Sequence, residues 1–287
     1  MTLTEDRSRD PSRRSGKEQG PVLLELPRPR FEPGSVVLVG GGPGAPDLVS
    51  LRALSYLTQA DAVVYDRLVD PRVLRWAPLK ARRLFVGKGP RTKAGEQDAI
   101  HRLLLKLARR GDRVVRWKGG DPFVYGRGFE ELEFLRRHGI TVRVIPGISS
   151  VTGALTAAEI PLVHRGVSDT FSVFPGRRAR GLPEARDRLA RLAQASDTLV
   201  GLMVVEELDA IVREISRVRS PQEPAALVVR GTTSSERVVR GTLRSIVSRA
   251  RRAKVSPPAL LVVGRVAALG RSLPRGAPSR ARGGEEE

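Results

Sequence analysis

Residues 118–128 read Lys-Gly-Gly-Asp-Pro-Phe-Val-Tyr-Gly-Arg-Gly and follow directly on the apolar run at 113–117. The adjacent Gly119 and Gly120 leave bare backbone that a ligand can approach closely. Asp121 beside them either meets a polar ligand group or closes a turn. Other loops share this character. They are GGGPGAPD at 40–47 with Pro43, YDRLVD at 65–70 with Asp66 and Arg67, GKG at 87–89 with Lys88, and PGISS at 146–150 with Ser149 and Ser150. A glycine-rich turn with an acid at the end of the next strand invites a dinucleotide reading, in which Asp66 holds a ribose hydroxyl. Pro43 breaks the spacing of that motif, and no Gly-Lys-Ser/Thr follows to make a phosphate loop. Purely structural readings stand beside these. Ser149 and Ser150 suit a helix cap, Met203 suits a core, and Asp66, Lys88 and Arg127 suit a solvated surface.

The elements that must position these residues alternate. Strands are expected at 35–40, 61–66, 82–87, 113–117 and 141–147, and helices at 47–60, 96–111 and 128–139. The first helix carries Leu48, Leu51, Leu54 and Leu57 at helical spacing. Alternation of this kind means right-handed crossovers and a mainly parallel sheet. All five loops then lie beyond one edge of that sheet, the carboxyl edge, where α/β folds bind ligands. A linker is expected at 157–169. A second set follows, with strands at 170–176, 197–203, 225–230, 237–241 and 258–264 and helices near 183–194, 205–216 and 242–252. The expected fold is therefore α/β in two domains, 34–160 and 161–270, the first sheet mainly parallel and the second mixed. Residues 1–33 and 271–287 are polar, charged and proline-bearing and read as disordered tails.

Composition narrows the chemistry. The chain has no cysteine, which excludes disulfides, thiolate metal sites and a cysteine nucleophile. With three histidines, a histidine-rich metal centre is not expected. The net charge of +20, with seven lysines in a Lys+Arg total of 51, points to an anionic partner or to a general arginine bias. No run approaches the ~20 apolar residues of a membrane span, and the N-terminus has no apolar signal core.

The segments VVLVGGGPGAPDLVSLRALSYLTQADAVVYDRLV, VGK, VVRWKGGDPFVYGRGFEELEFL, VIPGISSVTGALTAAEIPLVHRG, PAALVVRGTTSSERVVRGTL and SPPALLVVG resemble, in this order, the uroporphyrinogen-III C-methyltransferase family of the tetrapyrrole methyltransferase superfamily. The resemblance runs from about Ser35 to Leu269. It implies the two-domain tetrapyrrole methylase fold, with S-adenosylmethionine folded between the domains and no metal. Carried over by motif, the donor contacts are Pro43, Gly119, Gly120, Asp121, Val124, Ser149, Ser150, Met203 and Gly231. Asp66 becomes the proton acceptor, displacing the ribose reading, and Lys88 the proton donor. Arg67, Arg127, His164 and Arg165 fall on parts that face the carboxylate-rich substrate. A homodimer in the cytoplasm, with no nucleic-acid or membrane partner, is also implied. No dehydrogenase/ferrochelatase half is expected before the methyltransferase, so the steps after precorrin-2 are expected from other chains.

The chain departs from the family pattern at Gly89, Lys93, Val163, Pro175, Arg177 and Leu202, all on parts assigned to substrate, while the donor loops are intact. Three alternatives follow: a later precorrin methyltransferase, an RNA methyltransferase that uses the positive charge, and a donor-binding protein without turnover. The 4% aromatic content offers few bases a stacking platform and speaks against RNA.

Overall fold

The computed structural model describes residues 26–87, 94–176 and 183–270. The rest of both expected tails, together with Lys88, Gly89, Lys93 and Arg177, lies outside the described residues. The first sheet comprises β1 (Val36–Gly40), β2 (Ala62–Tyr65), β3 (Arg82–Phe85), β4 (Val114–Lys118) and β5 (Val142–Ile145), in the order β3-β2-β4-β1-β5. All its pairings are parallel. The connections carry α1 (Leu51–Leu57), α2 (Ala94–Arg109) and α3 (Gly128–Arg137). After α4 (Ser150–Ala157) comes the second sheet. It comprises β6 (Phe171–Pro175), β7 (Thr198–Leu202), β8 (Pro224–Val229), β9 (Arg237–Thr242) and β10 (Ala259–Val263), in the order β6-β7-β10-β8-β9. Only β6 and β7 pair in parallel there, so the sheet is mixed as expected. Helices α5 (Pro183–Ala195), α6 (Leu208–Ile215) and α7 (Leu243–Arg252) complete this half.

Alternation along the strands sorts side chains onto two faces. In the first sheet Val37, Val39, Val63, Val115 and Trp117 pack with Tyr56 and Leu57 of α1. On the other face Val36, Leu38, Ala62, Val64 and Val114 pack with Leu104 of α2 and with Leu132 and Leu135 of α3. By parity Arg116 and Lys118 share the α2–α3 face with Val114, although both are charged.

Three local differences from expectation have clear causes. The helix expected at 47–60 is broken: a short 3-10 turn covers Pro46–Leu48, and α1 starts only after Ser50. Ser50 is extended, and its Oγ accepts from Ala53 N at 3.2 Å, so it caps a new helix instead of continuing the turn. Ala53, Tyr56 and Leu57 form the buried side of α1, and Leu51 faces solvent. Second, part of the expected N-terminal tail is packed. Phe31 is buried edge-on against Tyr56, with ring centroids 5.2 Å apart, and Gln59 Nε2 donates to Pro29 O. Third, α4 lies before the expected linker in sequence, yet Val151, Ala154 and Leu155 pack against Val200, Val228 and Leu260 of the second sheet. The cores therefore change between Ile145 and Val151.

Candidate active site

Close packing of backbone holds the loops at the carboxyl edge of the first sheet together. Gly42 and Gly120 form an antiparallel bridge, with Gly120 N donating to Gly42 O at 2.7 Å, and Gly41 N donates to Lys118 O at 2.7 Å. The loop after β5 closes on both: a Cβ at Gly147 would stand 2.4 Å from Gly120 O and 2.6 Å from Gly40 C. Asp121 fastens this contact. Its Oδ2 accepts from Gly147 N at 3.1 Å, and its Oδ1 accepts from Phe123 N at 2.9 Å. The loop after β2 joins from the side, because Leu68 lies against Gly119 and the Arg67 backbone lies against Gly87.

The second half of the chain reaches the same loops. Pro43 rests on Gly153 of α4, and a Cβ at Gly153 would meet its ring at 2.9 Å. Gly231 abuts Ala154 of α4, while Gly44 faces Gly231 O and Thr232. Ala45 N donates to Thr232 Oγ1 at 3.0 Å, and Tyr125 Oη donates to Val173 O in β6 at 3.1 Å. Thr232→Val removes the acceptor of Ala45 N and keeps the volume. It is expected to cost about 1 kcal/mol, a melting-point loss of roughly 2–4 °C by calorimetry.

Pro43, Gly119, Gly120, Asp121 and Gly231 are thus brought into one constellation, with Ser149 at its edge as N-cap of α4, where its Oγ accepts from Val151 N. A Cβ at Gly120 would meet nothing within 4 Å, and the φ of +67° there favours glycine. Bare backbone bordered by open space is a cradle suited to a flat, polar small molecule such as a nucleoside, and these residues fit the donor that the sequence implies. Val124 and Met203 are exposed, Met203 with a φ of +55°. Gly176 packs directly against the Met203 carbonyl.

The residues expected at the substrate are less convergent. Arg67, next to Asp66 in the chain, is exposed. Arg127 is engaged by Glu130 through both Nε, at 3.0 Å, and Nη2, at 2.6 Å. His164 and Arg165 are exposed on the connection between the sheets, where His164 bridges to Ser168. Lys88 lies outside the described residues. Among the described residues, no group of three or more His, Asp or Glu is placed to hold a metal ion. No described helix is long and apolar enough to cross a membrane.

Asp66 has neighbours that the sequence reading misses. Its Oδ1 accepts from Arg116 Nη2 at 2.7 Å, and its Oδ2 stands 4.0 Å from Lys118 Nζ. Below it lies Glu131, whose side chain is 0% exposed and whose Oε1 accepts from Arg116, Lys118 and Gln97. Burial alone would push the Glu131 carboxyl up, but Arg116 and Lys118 outweigh it and hold it below the usual carboxylate value. Burial, reinforced by the Arg116 charge, pulls Lys118 below the usual lysine value. A sequence signal for this cluster existed: charges at i and i+2 of a central strand share one buried face and need partners.

Similarity to known proteins agrees with this geometry. The model of the Tetrapyrrole (Corrin/Porphyrin) Methylases matches residues 35–247. The chain belongs to this family. Among curated tetrapyrrole methylases, the uroporphyrinogen-III C-methyltransferase of Methanocaldococcus jannaschii is 40% identical over 235 residues, covering 81% of this chain and 96% of that protein. The uroporphyrin-III C-methyl transferase of Thermus thermophilus, solved with S-adenyl homocysteine, is 43% identical. It superposes with a TM-score of 0.69 over 81% of this chain and 98% of its own. A cobalt precorrin-4 methyltransferase of cobalamin biosynthesis is 27% identical, with a TM-score of 0.72 over 82% of this chain and 96% of its own. The chain spans about half the length of the Pseudomonas aeruginosa sirohaem synthase it also matches.

Proposed function

We propose that this tetrapyrrole methylase carries methyl groups from S-adenosylmethionine to two pyrrole carbons of uroporphyrinogen III, giving precorrin-2 for sirohaem or cobalamin synthesis. The observation that carries the reading is the single constellation formed by Pro43, Gly119–Gly120, Asp121 and Gly231, in a chain 40% identical to a uroporphyrinogen-III C-methyltransferase over nearly that protein's whole length. When bound, the donor supplies a methyl already activated by its sulfonium. The chain's own task is to align and to dehydrate, and alignment of this kind lowers a barrier by about 7–11 kcal/mol. The Gly119–Gly120 backbone, the Pro43 ring and the loop entering α4 would hold the donor, with Val124, Ser150, Met203 and Gly231 beside it. Asp66 would accept the proton that the ring system loses for each methyl gained, and Lys88 would be the proton donor where ring double bonds shift, each proton so given being lost again at another ring position. Asp121 contributes by locking two loops together, since both its oxygens are bound to backbone amides.

The eight carboxylates of uroporphyrinogen III suit a chain of net charge +20. Arg67, His164 and Arg165 present exposed polar groups for them. Arg127 would first have to leave Glu130.

Fold similarity does not separate this substrate from a later precorrin, because the precorrin-4 enzyme superposes as well as the uroporphyrin-III enzyme does. Sequence identity, 43% against 27%, favours uroporphyrinogen III. The test is an anaerobic assay of the purified protein with S-adenosylmethionine and either uroporphyrinogen III or a later precorrin, followed by mass spectrometry. Two methyls added to uroporphyrinogen III are expected. Methylation of only the later precorrin would refute the substrate assignment.

A further inference from the structure

Beneath Asp66 the structure buries an ionic cluster whose charged groups make none of the contacts that join the donor loops. Arg116 and Lys118 sit two residues apart on β4 with side chains 2% and 3% exposed, and Glu131 enters from the first turn of α3. Glu131 Oε1 accepts from Arg116 Nε at 3.2 Å, Lys118 Nζ at 3.0 Å and Gln97 Nε2 at 3.2 Å. Arg116 Nη1 donates to Val64 O and Trp117 O, and its Nη2 donates to Asp66 Oδ1 at 2.7 Å. Two cations and two carboxylates balance.

Such a cluster is not explained by stability. Buried charges lose hydration, and well-packed apolar side chains often serve a core as well or better. Its geometry has another consequence. Arg116 is held by four acceptors, Glu131 fixes both cations, and the cluster ends at the carboxylate that borders the donor loops. Asp66 Oδ1 is thereby tied down, while Oδ2 accepts no hydrogen bond among the described residues and has only the Lys118 ammonium, at 4.0 Å, nearby.

We propose that Glu131, Arg116 and Lys118 are positioning residues that lock the Asp66 carboxylate in one orientation with Oδ2 free, Glu131 acting through the two cations it pairs. The inference rests on the reading of Asp66 as proton acceptor. Glu131 touches neither donor nor substrate, so its loss is felt in the rate and not in donor affinity.

The test compares Glu131→Gln, Asp66→Asn and the double variant in single-turnover methyl transfer to uroporphyrinogen III, with S-adenosylhomocysteine affinity measured by calorimetry. Glu131→Gln is expected to slow transfer about ten- to a hundred-fold, the usual effect of misplacing a reacting group, with donor affinity unchanged. The double variant is expected to be no slower than Asp66→Asn, because the cluster has nothing left to position. Effects that multiply in the double variant, or a wild-type rate in Glu131→Gln, would overturn the proposal. A wild-type rate in Asp66→Asn would instead overturn the reading of Asp66 itself. Should Glu131→Gln fail to fold, Lys118→Met keeps the Arg116–Glu131 pair and leaves the uncompensated charge at Asp66, whose side chain is 29% exposed, and is expected to slow transfer in the same way; a wild-type rate there overturns the proposal. A crystal structure of the wild-type protein provides an arm independent of turnover: Asp66 bound to Arg116 is expected, and Asp66 turned away from it contradicts the proposal.

Discussion

Asp66→Asn is expected to transfer methyl groups about 10²–10⁴-fold more slowly than the wild type, the range over which a positioned proton acceptor acts. The amide keeps the shape of the carboxylate, and its oxygen can still accept from Arg116. What it removes is the capacity to take a proton and one negative charge opposite Arg116 and Lys118. The remaining cluster then carries two cations against Glu131 alone. Removing the Asp66 charge shifts Lys118 further in the direction in which burial and Arg116 already draw it, below the usual lysine value, while its hydrogen bond to Glu131 remains. The protein should therefore stay folded and bind S-adenosylhomocysteine as the wild type does, since none of the contacts joining the donor loops involves the Asp66 side chain. Stopped-flow transfer rates and calorimetric donor affinity, measured on the same preparation, check both halves of this expectation.

Gly147→Ala is expected to have the largest effect on stability. The added methyl would stand 2.4 Å from Gly120 O and 2.6 Å from Gly40 C, and every atom it meets is backbone. No side chain can rotate aside, so three loops must move apart. A cost of about 3 kcal/mol follows from overpacking of this kind, or roughly 6–12 °C in melting temperature. Donor affinity falls with it. Gly120→Ala separates the two effects. Its Cβ meets nothing within 4 Å, and its penalty is the left-handed backbone at φ +67°, about 1–2 kcal/mol. Because its methyl points into the open space over the cradle, donor affinity should drop out of proportion to the melting point. Calorimetry and thermal melting of both variants provide the check.

Much of this architecture is legible in the chain because each signal is local. A β-branched run ending in glycine places β1, the run AVVY places β2, and the double glycine at 119–120 marks close backbone approaches, of Leu68 to Gly119 and of Gly42 to Gly120. What the chain does not show is which strands become neighbours. Parity puts Val64 on one face of β2, and Arg116 and Lys118 on one face of β4, but only the β3-β2-β4-β1-β5 order brings Asp66 over Arg116. The contact of Ala45 with Thr232 spans 187 residues and has no local sign. Phe31 is hidden by its setting: one aromatic residue among prolines and charges looks like tail until Tyr56 is placed beside it. Arg127 is a further case: its place in a glycine-rich loop does not show the ion pair that it makes with Glu130, three residues on.

A crystal structure of the protein soaked with S-adenosylhomocysteine decides whether these converging loops form the donor site. The ligand is expected against the Gly119–Gly120 backbone, between Pro43, the Ser149 turn and Gly231, with Asp66 bordering the space left for a macrocycle. A ligand bound elsewhere, with that hollow closed by the protein's own side chains, would contradict that assignment.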